Sequence, residues 1–128
     1  MIFFIYRTFA KFFFYIAPFY LKYRVFKGKE DSERYKEKLS KINISRGEGY
    51  LVWIHAASIG EALSIIPIIN KLEQNEKIKK ILITTITLSS SKVIISKLKN
   101  NKKVVHQFFP LDIPILIEKF INHWSPNI

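Results

Sequence analysis

From Tyr50 onward, short β-branched runs alternate with longer amphipathic stretches, and few folds tolerate that rhythm. Tyr50–His55, Lys80–Thr85 and Val104–Phe109 read as buried strands. Glu61–Glu73 carries Leu63, Ile66, Ile69 and Leu72 at core-like spacing and reads as a helix. Pro67 inside it removes one hydrogen bond and predicts a bend. Ser89–Lys99 reads as a second helix. Asp112 offers an N-cap, and Pro114 a first helical position, for a third helix running to about Trp124. Strands alternating with helices predict an α/β fold: a Rossmann-like parallel sheet with right-handed crossovers. Ser125–Ile128 falls where the next strand is due, so the chain is expected to be interrupted there.

The first 26 residues are of a different kind. They hold 12 of the 19 aromatic residues, with Arg7, Lys11, Lys22 and Arg24 and no acid. A signal peptide is a poor fit, because Arg7 and Lys11 interrupt the apolar run and no small-residue cleavage site follows. A spanning helix needs about 20 apolar residues. The longest charge-free stretch here is Phe12–Leu21, and it contains Pro18. At about 100° per residue, Arg7, Lys11, Tyr15, Pro18 and Lys22 share one quarter of a helical wheel. A basic stripe on an aromatic helix suits a segment lying in the headgroup region of a membrane. A tilted or snorkelling span and packing against its own domain or a partner are the alternatives. Residues 1–26 are therefore expected to be membrane-associated, 27–49 a polar connection, and 50–128 the α/β domain.

In residues 27–49, Glu30 with Arg34 and Glu33 with Lys36 are expected as helical ion pairs, and Glu33 with Glu37 as a like-charge contact. The net charge of +11 asks for anionic company. A nucleic-acid partner is not expected, since the bases carry no binding motif for one. Without cysteine there are no disulfides or thiolate sites. His55, His106 and His123 lack ligand spacing, so neither metal nor cofactor is expected.

Ligands of open parallel sheets bind beyond the carboxyl ends of the strands. Three loops qualify: Ala56–Glu61, Ile86–Ser91 and Pro110–Pro114. In the first, Ser58 and Gly60 precede Glu61, and Gly60 allows close backbone approach or an unusual dihedral. Two roles fit Glu61: a base for an attacking hydroxyl, or a carboxylate that stabilises the first helical turn. The second loop carries Thr85, Ser91 and Lys92, and is either a phosphate cradle or an ordinary capped helix start. No Gly-rich nucleotide fingerprint is present.

The string Val52-Trp53-Ile54-His55-Ala56-Ala57-Ser58-Ile59-Gly60-Glu61-Ala62-Leu63 resembles the strand–loop–helix signature of the Kdo transferases. The likeness continues through Ile83–Thr87 with Ser91-Lys92, through His106–Pro114, and through Phe120–Pro126. Glu33–Leu39 is similar to a basic stretch that precedes the domain in many members. Gly commonly follows there; Ser40 stands here, so a different turn is expected. The resemblance implies the amino-terminal half of a B-type glycosyltransferase, with Glu61 as catalytic base and Ser58, Gly60, Thr85, Ser91 and Lys92 binding the acceptor or shaping its loops. It implies transfer of Kdo from CMP-Kdo to the lipid A precursor of lipopolysaccharide, at the cytoplasmic face of the bacterial inner membrane. CMP-Kdo contacts would belong to a carboxyl-terminal half, so the chain alone is expected to be inactive.

Overall fold

The computed structural model describes residues 1–128. Helix α1 spans Ile2–Phe26, and a short 3-10 helix follows at Tyr35–Leu39. Then come β1 (Tyr50–Ala56), α2 (Ile59–Glu73), β2 (Ile78–Thr85), α3 (Leu88–Leu98), β3 (Val104–Phe108) and α4 (Pro114–Trp124). The strands form one parallel sheet in the order β1-β2-β3, with Val52 opposite Ile81 and Ile81 opposite Val104. The expected alternation is present, with element ends displaced by one or two residues.

Strand alternation decides what each face buries. Val52, Ile81 and Ile83 point to one side and pack with Ala62 and Ile69 of α2 and Ile94 and Leu98 of α3. Leu51 and Leu82 point to the other and pack with Phe120 and Trp124 of α4. Each fully buried Leu, Ile or Phe among them contributes roughly 1.5–3 kcal/mol of transfer free energy. The sheet is thus covered on both sides. Residues 127 and 128 turn back to β1: Asn127 N–H donates to Leu51 O at 2.9 Å, and Trp53 N–H donates to Ile128 O at 2.7 Å. That is parallel pairing on the edge opposite β3. The order therefore reverses at β1, which makes its carboxyl end a topological switch point.

Asp112 is not the cap of α4. Ile113 occupies that position without a side-chain bond, and Pro114 is the first helical residue as expected. Proline fixes a helical φ there and has no N–H to orphan, so the helix starts without a polar cap.

The expected helical pairs in the connection do not form, because residues 35–39 make one 3-10 helix instead of an α-helix. Glu30 instead lies buried between Lys38 Nζ and Arg24 Nε, each at 2.7 Å. Arg34 grips Glu37 through two bonds of 2.8 and 3.0 Å. The same pair serves the outer edge of β3: Arg34 donates to His106 O at 2.9 Å, and Glu37 accepts from Phe108 N–H at 2.9 Å. Ser40 takes the left-handed conformation, φ 52°, that a glycine would adopt, and its Oγ donates to Leu116 O at 2.6 Å. The hydroxyl bond offsets part of a backbone cost of about 1–2 kcal/mol for a non-glycine residue in this conformation.

Helix α1 continues through Pro18 for 25 residues, about 37 Å. Ala10, Phe14, Ala17 and Leu21 fall on one face by spacing. Ala17 is buried against Ile113 and Leu116, with Phe14 beside it. The opposite face is bare: Phe12, Phe19 and Phe26 are 62%, 72% and 85% exposed.

His106 is held neutral. Burial and the neighbouring Arg34 charge push its pKa down to about 3. Arg34 faces its Nδ1 at 3.0 Å, so Nδ1 accepts and Nε2–H donates to Thr85 Oγ1 at 2.9 Å. In the unfolded chain His106 takes up a proton near pH 6.5. Stability is therefore full above that pH and falls on acidification toward pH 3, by about 1.4 kcal/mol per pH unit. Denaturant titrations between pH 6.5 and 5 should show this slope in the native sequence and its loss in His106→Gln.

Candidate active site

The loop after β1 is two residues long, and its chemistry comes from the first turn of α2. Ser58 caps the helix, its Oγ accepting from Glu61 N–H at 3.2 Å. Glu61 reaches back, Oε2 accepting from Ala57 N–H at 2.7 Å. Reciprocal bonding of this kind satisfies N–H groups that a helix start leaves free. The carboxylate therefore stands at the switch point, exposed to solvent, with Oε1 free of hydrogen bonds from the protein. Both roles foreseen for Glu61 fit this geometry: it stabilises the turn, and it presents a carboxylate oxygen at the mouth of the site.

Gly60 does not adopt the unusual dihedral foreseen for it. It lies inside the first turn of α2 without a positive φ, and an added Cβ would meet only Ser58 Oγ, at 3.9 Å. What it leaves is open space beside Glu61.

His55 ends the strand on the α4 side. Its ring lies 4.8 Å from that of Phe109, and its Nδ1 is 2.9 Å from Thr84 Oγ1. Thr84 is fully buried and also receives Trp53 Nε1–H at 2.9 Å. Desolvation lowers the pKa of His55, and the Glu61 charge partly opposes that shift. Trp53, Thr84 and Phe109 were not candidates in the sequence. Alternation along β1 and β2 was the available signal, since it sends residues 53, 55 and 84 to one face.

The second loop is a capped helix start. Thr87 caps α3, accepting from Ser90 N–H at 3.2 Å. Ser91 is buried and donates to Leu88 O at 2.8 Å, and Thr85 is buried against His106. Lys92 is exposed, one turn further along α3. Of the three named residues in this segment, Lys92 alone presents its side chain to solvent. No group of three His, Cys, Asp or Glu side chains is placed to hold a metal ion.

The third loop, 109–113, carries α1. Because α1 packs on Leu111, Ile113 and Leu116, it lies at the carboxyl edge of the sheet, the edge that bears Glu61. A groove of about 500 Å³ on one flank is lined by Arg7, Lys11, Tyr15, Pro114 and Glu118. On the other flank a groove of about 380 Å³ is lined by Tyr6, Phe9, Phe13 and Leu111. Arg7, Lys11 and Lys22 are exposed, whereas Arg24 is engaged by Glu30.

Residues 32–128 match the family profile described as 3-deoxy-D-manno-octulosonic-acid transferase (kdotransferase). The chain is 35% identical over 127 residues to a probable mitochondrial 3-deoxy-D-manno-octulosonic acid transferase of Arabidopsis thaliana, covering 97% of this chain and 28% of that one. It is 33% identical to the transferase of Rickettsia bellii over 82% of this chain and 25% of the relative. The transferase of Haemophilus influenzae is 32% identical, over 76% of this chain and 23% of its own length. The chain thus spans about a quarter of the curated relatives it matches. No solved structure gives a significant match.

Ser58→Ala removes the α2 cap and should lower unfolding stability by about 1 kcal/mol. Gly60→Ala should raise it by about 0.5–1 kcal/mol, since the added methyl has room and the helix gains propensity. Denaturant unfolding of the two variants checks both signs.

Proposed function

The chain belongs to the 3-deoxy-D-manno-octulosonic acid (Kdo) transferase family, and from that premise we propose that residues 50–128 form the acceptor side of a Kdo-transfer site with Glu61 as its base. The observation that carries this reading is the place of the Glu61 carboxylate: exposed, on the first turn of α2, at the switch point of the sheet. Ligands of open parallel sheets lie there. In the proposed step the Glu61 carboxylate removes the proton of an acceptor hydroxyl. The oxygen attacks the anomeric carbon of Kdo, the bond to the CMP phosphate breaks, and the configuration inverts. The acceptor is the lipid A precursor and the donor CMP-Kdo. Lys92, exposed on α3, is proposed to meet a phosphate of the acceptor, while Ser58, Thr85 and Ser91 shape the two loops.

Donor contacts are proposed to come from a further portion such as the longer relatives possess, since the chain spans about a quarter of their length and transfer needs donor and acceptor held together. By themselves, residues 1–128 are proposed to bind acceptor without turning over. Supplying the donor-binding portion of a relative, with CMP-Kdo and lipid A precursor, should yield transfer. Glu61→Gln keeps an oxygen for the Ala57 N–H and should slow transfer by roughly 10²–10⁴-fold with unchanged melting. Equal rates for the two proteins would overturn the assignment of the base.

A membrane-surface role accompanies this reading and is favoured by α1. Its aromatic face points away from the domain, and from Ala10 to Leu21 its other face is taken up by the domain. A helix so occupied lies along a bilayer more readily than it crosses one, and the cytoplasmic face of the bacterial inner membrane is the proposed location. Co-sedimentation with vesicles containing anionic lipid should fall with salt. Arg7→Gln and Lys11→Gln should each weaken it about fivefold, equivalent to about 1 kcal/mol per charge.

A further inference from the structure

We infer that Trp53, Thr84 and His55 form a relay that locks His55 in one tautomer, with its Nε2–H presented at the carboxyl edge to hold an oxygen of the acceptor sugar beside Glu61.

The argument rests on what the buried hydroxyl of Thr84 can do. Thr84 is fully buried between β1 and β3, and its Oγ1 has two side-chain neighbours. The indole N–H of Trp53 is donor only, so Oγ1 accepts there, at 2.9 Å. The hydroxyl proton then needs an acceptor, and His55 Nδ1 at 2.9 Å supplies it. A buried hydroxyl left without that acceptor would be an unsatisfied donor, which folded proteins rarely tolerate. With Nδ1 accepting, the ring proton sits on Nε2. The Phe109 ring against the imidazole and the tilted contact of Trp53 with Phe120, centroids 5.3 Å apart, restrain the two rings that end the relay.

His55 Nε2 makes no hydrogen bond within the protein, although the residue is exposed and close enough to Glu61 to feel its charge. A neutral donor suits this position. An imidazolium beside Glu61 would stabilise the carboxylate and weaken it as a base, whereas a neutral N–H orients an oxygen without that penalty. His55 is thus assigned a substrate contact, and Thr84 and Trp53 are positioning residues that act through it. The contact with sugar rests on the acceptor-side reading above; the relay itself does not.

Long-range proton–nitrogen NMR on the isotope-labelled full chain in detergent micelles reads the tautomer directly. The native sequence should show His55 protonated on Nε2 at neutral pH. Thr84→Val should convert it to a mixture, and Thr84→Ser should restore the single form. A wild-type ring protonated on Nδ1, or a ring indifferent to Thr84→Val, would overturn the relay. A purely structural role for Thr84 would change stability and leave the tautomer as it was. Titration with a phosphorylated glucosamine disaccharide should then shift His55 Nε2 together with the amides of residues 57–61, and should still do so in Glu61→Gln. Movement of those amides with an unmoved His55 would overturn the contact alone. No movement of either would overturn the acceptor-side reading, and the contact with it, while leaving the relay intact.

Discussion

The placement of α1 at the carboxyl edge depends on one buried carboxylate. Glu30, 5% exposed, receives Lys38 from the connection and Arg24 from the end of α1. Removing one member of such a group strands a charge in a poorly solvated place, a loss of about 3–5 kcal/mol. An isolated helix with so many exposed aromatics has no intrinsic reason to choose one direction over another. The Glu30 cluster and the apolar patch around Ala17 supply that reason. They lay α1 across residues 111–116, next to the loops where a ligand would bind.

The connection itself is held by side chains where a sheet would use backbone. Arg34 and Glu37 reach the outward C=O of His106 and N–H of Phe108, groups that a neighbouring strand would otherwise satisfy. Arg34 also faces Nδ1 of His106, which fixes the proton of that ring on Nε2. Two histidines of the sheet are thus governed in the same manner, one by Arg34 and the other by Thr84. In each, a neighbour occupies Nδ1 and so decides what Nε2 offers.

Local order was legible in the sequence, and long-range pairing was not. The three strands and three domain helices follow from runs of Ile, Leu and Val whose period is set within a few residues. Pro114 announced the start of α4 because its ring fixes φ by itself. Asp112 misled, since a capping residue is useful only if its side chain can fold onto the turn, and Ile113 intervened. Glu30 looked like a helical partner of Arg34 because spacing along one helix was the only geometry available; its real partners come from two separate elements. For the site, Glu61 stood out by its motif. Trp53 and Thr84 did not, because a buried indole and a buried hydroxyl are ordinary core residues until their mutual bond is seen.

The two edges of the sheet have opposite characters. At β3 the outward backbone groups are met by charged side chains, which end the pairing there. At β1 they are met by main chain from residues 127 and 128, in the same sense as the sheet. Addition to this sheet is therefore directional. A further strand, from this polypeptide or from any other, has one open front, and that front runs past Trp53 toward His55. Main chain that pairs with this edge therefore lies along the very strand that delivers His55 to the site.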